Sequence, residues 1–571
     1  MRNFSGLSGA VAVIISIALG CVHSGRLSDG RGPSQVKPLR VLALSDFHGA
    51  LAGVQNGPVV HGGAGLVSGF IKALRAQDST PTLVVDAGDL FQGSLVSNTF
   101  EGVPVLKLYR YMGVCASAVG NHDFDYGPVG EKGNPTSSAD DPFGALKVLM
   151  AMGIDTSNSA PPFRFYAANI EVNGPAPGWG STDLIEVDGL KVGVIGLAGE
   201  ETPGTTDRRN IETLKFLPLQ PVVEREAKQL RAQGAQYVIV LAHAGGACKD
   251  NSIAALTDIG SCDQNSVLSL ANDLPSGLVD VVVAGHTHNG IFKQIKATYV
   301  IQPFSKGQTV GSVTLGATPR VRLEGLLPVC SVWIDGAGEP SCASHVTGTS
   351  LPPRFGSTVV VNDTAAEKLI ESYMLEAARI ENRDLNVESP QEFNRNFHFE
   401  NALGNLITDL LLSQNKGYHV VLINNGAIRA NLKKGRLIYN DIYQIFPFDS
   451  QLAHLTVDGA TLKRMIRIGV SDIDGGLSWS KGIRFVFRQT PSQCDVQVTL
   501  NGKNVDDSEK IEILTSDFVA LGGVGFDLLK IPPSAVEILD SSKLQSIHHL
   551  CLHFFMAQTT RNQMRTRPTT I

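Results

Sequence analysis

From residue 39 onward, apolar positions fall in short continuous runs separated by longer stretches in which they recur three and four apart. Residues 40–44 and 82–85 read as strands, and residues 65–75 between them read as a helix. The runs at 191–197, 237–241 and 279–283 are rich in β-branched residues and end in polar or glycine-containing segments, as strands buried on both faces do. The spacing predicts an α/β sandwich or layered sheet, with functional residues on the loops that leave the strand ends. After Pro352 and Pro353 the pattern becomes a charged helix over 364–384, which marks a boundary between domains. Beyond it come a helix at 404–412, a strand at 420–423 and a glycine-rich turn at 522–525, and no internal repeat is visible.

Ahead of this region the pattern is different. Arg2 precedes an apolar run from Ala10 to Leu19, too short for the ~20 residues that span a bilayer, and it reads as a signal peptide over 1–21. Cys21 directly after Gly20 resembles a lipoprotein cleavage site, although Ala18 and Leu19 depart from that pattern. A lipid anchor and plain secretion are the two alternatives, and the chain is expected in the periplasm, in the cell envelope or outside the cell. Residues 22–38 read as a flexible tether. The 571 residues exceed one ordinary core, so two domains are expected. A net charge of -6 gives no general attraction to nucleic acid or an anionic membrane, so an anionic substrate must be held by local positive charge. Cysteine usage fits an oxidising compartment: Cys248 with Cys262 and Cys330 with Cys342 could each close a loop. Cys115 reads as a buried free thiol, and Cys494 and Cys551 have no obvious partner.

Five short motifs follow in order, four of them behind a strand-like run. They are Asp46-Phe47-His48-Gly49, Gly88-Asp89 running on to Gly93-Ser94, Gly120-Asn121-His122-Asp123-Phe124-Asp125, a lone His243, and Gly285-His286-Thr287-His288. Two cations close together need a shared carboxylate, and Asp89 is the candidate bridge. Asp46 and His48 would face one ion from a single loop, and His286 and His288 repeat that arrangement from the far end. Asn121 offers a neutral carbonyl oxygen and His243 an imidazole. Mixed oxygen and nitrogen donors suit zinc, manganese, cobalt or iron better than calcium. His23, His61, His345, His419, His548, His549 and His553 belong to no motif, and the last three read as a packing or solvent face of a C-terminal helix.

The order and wording of these motifs resemble the calcineurin-like metallophosphoesterases, and within them the 5′-nucleotidase branch, most closely along residues 88–94 and 120–127. The resemblance implies a four-layer α/β-β-α sandwich over 39–350, a linker and hinge helix over 351–385, a second α/β substrate-binding domain over 386–556 and a polar tail over 557–571. It implies two divalent metal ions. One would be held by Asp46, His48, Asp89 and His288, and the other by Asp89, Asn121, His243 and His286. A metal-activated water would then attack phosphorus in line. It further implies that Asp125 orients His122, which stabilises the transition state or protonates the leaving group. The second domain of this family rotates to carry substrate to the metals, and the hinge near Pro353 is where that would occur here.

The resemblance continues into the second half. Residues 404–409 match the opening helix of the family's C-terminal domain, and Asn424-Asn425-Gly426-Ala427-Ile428-Arg429 matches its substrate loop. By that likeness Arg429 would grip the phosphate and Asn424 would contact base or sugar. Phe448 and Phe518 stand where the family has two rings that clamp a nucleobase. The implied substrate is a small nucleotide, a 5′-monophosphate first and cyclic nucleotides or nucleotide sugars besides, with no nucleic-acid polymer as partner. Three departures bear on it. Val524 replaces the acid that holds ribose hydroxyls, Phe397 stands at a phosphate-binding arginine position with Arg395 nearby, and Asp449 and Ser450 replace small residues. These leave a non-nucleotide phosphate or sulfur ester as an alternative substrate, and a non-catalytic binding lipoprotein as an alternative of another class.

Overall fold

The computed structural model describes residues 37–539 apart from residue 57 and the segments 131–133, 136, 138, 158–160, 175–176, 264–266, 317–323, 335–340, 344–349, 449, 471–475 and 490–493. The expected signal peptide, Cys21, most of the tether, His345, Asp449, Cys551, the three histidines at 548, 549 and 553 and the polar tail lie outside the described residues.

Two six-stranded sheets form the first half. One runs in the order Gly325–Pro328, Thr309–Leu315, Leu39–Leu44, Thr82–Asp86, Ala116–Ala118 and Arg164–Tyr166. The other runs Gly290–Ile295, Thr298–Pro303, Val281–Ala284, Tyr237–Ala242, Leu190–Leu197 and Thr182–Val187. Successive side chains of a strand point to opposite faces, and here both faces are buried, which explains the nearly continuous apolar runs. Val41, Val85 and Ala116 meet Val194, Ile239 and Val283 in the layer between the sheets. On the outer face of the first sheet Leu42 and Val84 pack with residues of the helices Ala64–Ala76 and Val103–Met112. On the outer face of the second, Val238, Val240 and Val282 pack with residues of Leu219–Ala232 and Val267–Asp273. The result is the helix–sheet–sheet–helix order of a four-layer α/β-β-α sandwich.

The central strands run parallel, Leu39–Leu44 with Thr82–Asp86 and then Ala116–Ala118, and Leu190–Leu197 with Tyr237–Ala242 and then Val281–Ala284. Their carboxyl ends therefore lie along one edge of each sheet, where open parallel sheets place ligands. All five motifs begin there. The short strand Ala116–Ala118 behind the third motif escapes the apolar pattern because it reads Ala-Ser-Ala.

The helix Thr364–Glu381 ends before residue 384, since Asp384 already pairs with Ile438 in a new strand. Its buried Ala366, Ile370 and Ala377 join the core of the first half. The run at 279–283 becomes the strand Val281–Ala284, because Asp280 turns its carboxylate onto the Val238 amide at 2.7 Å. Beyond, a five-stranded sheet runs Leu477–Trp479, Val420–Asn424, Lys510–Ser516, Leu452–Asp458 and Val536–Ile538. Against it packs the helix Ala402–Gln414, capped by Asn401, whose side chain accepts from the Gly404 amide. Disulfides join Cys248 to Cys262 and Cys330 to Cys342, while Cys115 is free and half-buried at the inter-sheet layer. Among the described residues no helix is long and apolar enough to cross a membrane.

Candidate dinuclear metal site

The strand-end loops fold tightly enough that five candidate ligands adopt left-handed backbone: Asp46 (φ 50°), His48 (50°), Asp89 (58°), His286 (76°) and His288 (57°). Non-glycine residues rarely do so, and such strain clusters where side chains must converge. The turns between them leave no room. A Cβ on Gly120 would lie 2.2 Å from Asp89 Oδ1, and one on Gly285 would lie 2.9 Å from Asp46 Oδ2.

The donor atoms gather in two groups. Those of Asp46, His48 and His288 lie within 4.8 Å of one another, and so do those of Asp89, His243 and His286. Asp89 joins the two, with its Oδ2 3.1 Å from His243 Nε2 and 3.7 Å from His48 Nε2. Asn121 Oδ1 stands 3.0 Å from both His243 Nε2 and His286 Nδ1, which brings all seven expected residues to one centre. In a third group, His61 with Cys330 and Cys342, the two cysteines are joined in the disulfide, which leaves one donor.

Neighbouring groups set the ligand state of the imidazoles. His48 Nδ1 donates to Gln92 O at 2.7 Å and His243 Nδ1 to Ala87 O at 2.9 Å, which turns each Nε2 inward. Burial holds His48 and His288 far below the ordinary histidine range, so both stay neutral, as a metal ligand must. Burial also pushes Asp46 up to about 7, with Asp89 adding to it, and Asp46 Oδ2 has no hydrogen-bond partner. Burial works against a charged His243, yet Asp89 and Asp46 raise it to about 10. The carboxylates thus draw positive charge into a buried place. Nitrogen and oxygen donors, an orphaned carboxylate oxygen and the neutral imidazoles of His48 and His288 fit divalent transition metals.

Asp123 is a residue whose role the sequence hides. Its carboxylate accepts the amides of Asp89 (3.1 Å), Leu90 (3.0 Å) and Gly120 (2.8 Å), so it clamps two ligand loops together. Glu201, on the loop after Leu190–Leu197, lies 3.4 Å from His286 Nε2. Neither carried a spacing that singled it out, although Asp123 sits inside a quoted motif.

His122 hangs beside this cluster. Its amide donates to Asp89 Oδ1 at 2.8 Å and its Nδ1 meets Asp125 Oδ2 at 2.6 Å. Burial opposes the imidazolium, but Asp125 and Asp89 outweigh it and raise the histidine above its usual value. The Phe448 ring lies 5.6 Å from that of His122, and the Arg429 guanidinium stands 5.9 Å over Phe448. Phe518 and Asn424 line the same cleft of about 1670 Å³, which also holds Phe397, Arg395 and Val524.

The second half is docked across this cleft. Gln92 Nε2 donates to Pro447 O at 2.8 Å, the Val524 amide to Gly204 O at 3.2 Å, and Arg209 bridges Asp207 (2.6 Å) and Asp517 (2.5 Å). Asp517 in turn accepts the amides of Gln451 and Phe518, which ties the Phe518 segment to the metal side.

Comparison with known proteins matches residues 39–290 to the calcineurin-like phosphoesterases and residues 378–531 to the 5′-nucleotidase, C-terminal domain. The endonuclease YhcR of Bacillus subtilis is 25% identical over 503 residues, covering 86% of this chain and 37% of that protein. The cell wall protein Lmo0130 of Listeria monocytogenes is 23% identical over 555 residues, covering 91% of this chain and 68% of that protein. The chain thus spans little more than a third of the first relative's length. Among solved structures, a 5′-nucleotidase precursor from Thermus thermophilus aligns with a TM-score of 0.69 at 22% identity, covering 93% of this chain and 98% of that one. At that identity the likeness speaks for the fold.

Proposed function

The chain belongs to the calcineurin-like phosphoesterases that carry a 5′-nucleotidase C-terminal domain, and on that premise we propose that it is a metal-dependent hydrolase releasing phosphate from nucleoside 5′-monophosphates. The observation that carries this reading is the convergence of seven donor side chains beside a paired His122 and Asp125. Asp46, His48, Asp89 and His288 would hold one divalent ion, and Asp89, Asn121, His243 and His286 a second. When bound, such ions supply Lewis acidity and an activated water at neutral pH. Zinc, manganese, cobalt and iron all suit the donor set.

The chain's own groups do the rest. Arg429 faces the cluster and donates to the non-bridging phosphate oxygens, where its fork matches their geometry. Asp125 accepts from His122 Nδ1, which aims the opposite nitrogen at the leaving oxygen and lets it supply the proton. Asp123 holds the Asp89 and Gly120 backbones in place so that the donors stay converged. Asn424 contacts base or sugar, and Phe448 and Phe518 flank the base. The C-terminal part is a substrate carrier that turns about the segment near Pro353, with Arg209 and Asp517 as the clasp of the docked form. Export is supported by the two disulfides and by the name of the cell wall relative, and Cys21 remains the site of lipidation if an anchor exists.

Release of phosphate from AMP, and from a panel of nucleotides and sugar phosphates, with and without chelator, tests the reading. Metal-dependent release from a 5′-nucleotide is the expected result. Turnover restricted to non-nucleotide esters, or none with any metal, would overturn it.

A further inference from the structure

The two candidate ligand sets are unequal in charge. The set around His48 and His288 has a carboxylate of its own, Asp46, besides the shared Asp89. Asn121, His243 and His286 add no acid to Asp89 on the other side. A dication held there would draw on one shared negative charge, and buried charge is stable only when opposite charge is near. Glu201 is placed to make up the difference.

His286 is turned the other way from its neighbours. His48 and His243 give their Nδ1–H to backbone carbonyls and present Nε2 to the cluster. His286 presents Nδ1, which stands 3.0 Å from Asn121 Oδ1, and its Nε2 lies 3.4 Å from Glu201 Oε1. No other carboxylate pairs with that ring among the described residues. At this distance the pair is an electrostatic contact and not a short hydrogen bond. A carboxylate behind a ligating imidazole fixes the tautomer, as a carbonyl does, and also raises the basicity of the opposite nitrogen.

Glu201 is not a loose surface acid. It leaves the strand Leu190–Leu197, which pairs with the strand that ends just before His243. Its carboxylate folds back over Gly199, where a Cβ would lie 2.5 Å from Glu201 Oε1 and 2.7 Å from His243 O, so glycine alone leaves room. The Glu201 carbonyl accepts the Gly204 amide at 2.8 Å and the Thr205 hydroxyl at 3.3 Å, which closes a turn. The far end of that turn holds another donor. Thr206 Oγ1 donates to Asn121 O at 3.0 Å and Asn121 Nδ2 to Thr205 O at 3.4 Å, which leaves Asn121 Oδ1 facing the cluster. One short segment thus backs both Asn121 and His286.

We propose that Glu201 is a positioning residue for the second ion. It keeps the Nε2 proton of His286 on the outer side, so that Nδ1 holds its lone pair for the metal, and it supplies at one remove the negative charge that the second set lacks. The inference rests on the metal-dependent reading above and deepens it at the ions, with no substrate contact involved.

Cobalt(II) titration of the metal-stripped full chain, followed by visible absorption, tests this without turnover. Glu201→Ala should weaken one of two sites by about 10–100-fold, the scale of losing an outer partner, and leave the other nearly unchanged. Proton NMR of the chain in excess cobalt supplies a signature that a merely structural role would not move, because ring N–H protons of coordinated imidazoles give strongly shifted, exchangeable resonances. The resonance that His286→Ala abolishes should be shifted in Glu201→Ala, or lost to exchange with water, while the other ring N–H resonances stay in place. Unchanged affinity at both sites would overturn the proposal. So would a loss of affinity with that resonance unmoved, which would make Glu201 a ligand itself or a structural prop. A wild type that binds no second cobalt would overturn it together with the two-ion reading, whereas failure to hydrolyse nucleotides would strike the proposed function alone.

Discussion

The Nε2 atoms of His48 and His288 stand 2.9 Å apart, and His48 already donates its Nδ1–H to Gln92 O. A lone pair of His48 therefore faces His288, and burial keeps both rings neutral. A buried and a half-buried imidazole placed this way would form, with Asp46, most of one candidate ligand set. Replacing His288 with alanine should weaken metal binding at that position by about 100-fold or more, beyond the 10–100-fold typical of losing an outer partner. Metal titration of the stripped chain reads this directly, and an unchanged affinity would remove His288 from the set.

Asp123 touches no candidate donor atom, yet three amides of the ligand loops depend on it. Asp123→Ala leaves them buried and unpaired at roughly 1–3 kcal/mol each. The variant should melt well below the wild type and bind metal 10–100-fold more weakly, on the order of other outer-partner losses. A variant with normal metal affinity would show that the clamp is dispensable.

For His122, the leaving group decides. Asp125→Asn should lower kcat on an alkyl phosphate such as AMP by about 10²-fold or more. On p-nitrophenyl phosphate, whose leaving group needs no proton, the loss should be much smaller. Equal losses on both substrates would argue against proton donation and for a purely structural pair.

Val524 sits at φ 53° with its side chain buried, an unusual backbone for a β-branched residue. Relief of that strain is worth roughly 1–3 kcal/mol, and the lost apolar burial costs about 1.5–3 kcal/mol. Val524→Asp should therefore leave the melting temperature nearly unchanged. It should also lower KM for ribonucleotides several-fold relative to their deoxyribose analogues with no sugar diol. A KM that ignores the sugar hydroxyls would contradict the role assigned to this position.

Much of the candidate metal site was legible because its candidate donors sit in fixed motifs at strand ends, and strands buried on both faces announce themselves as apolar runs. Asp46, His48, Asp89, Asn121, His243, His286 and His288 were all named from their motifs and all meet in space. The strand behind Asn121 stayed hidden, since Ala-Ser-Ala carries little hydrophobic signal. Asp123 stayed hidden for another reason: it works through hydrogen bonds to the backbone, and no residue type marks the amides it binds. Arg395 and the Arg209–Asp517 clasp depend on how two halves of the chain dock, which no local pattern encodes. Arg395, set aside in the sequence as merely near the expected arginine position, lines the same cleft as Arg429.

The central claim is that these seven side chains hold a pair of ions that the hydrolysis requires. Metal stoichiometry by elemental mass spectrometry, taken on the full chain and on Asp89→Ala alongside phosphate release, measures it most directly. The account predicts about two equivalents per chain in the wild type, with loss of bound metal and essentially all turnover in the variant. A wild type that carries no tightly bound transition metal, or an Asp89→Ala chain that keeps its metals and its activity, would contradict it.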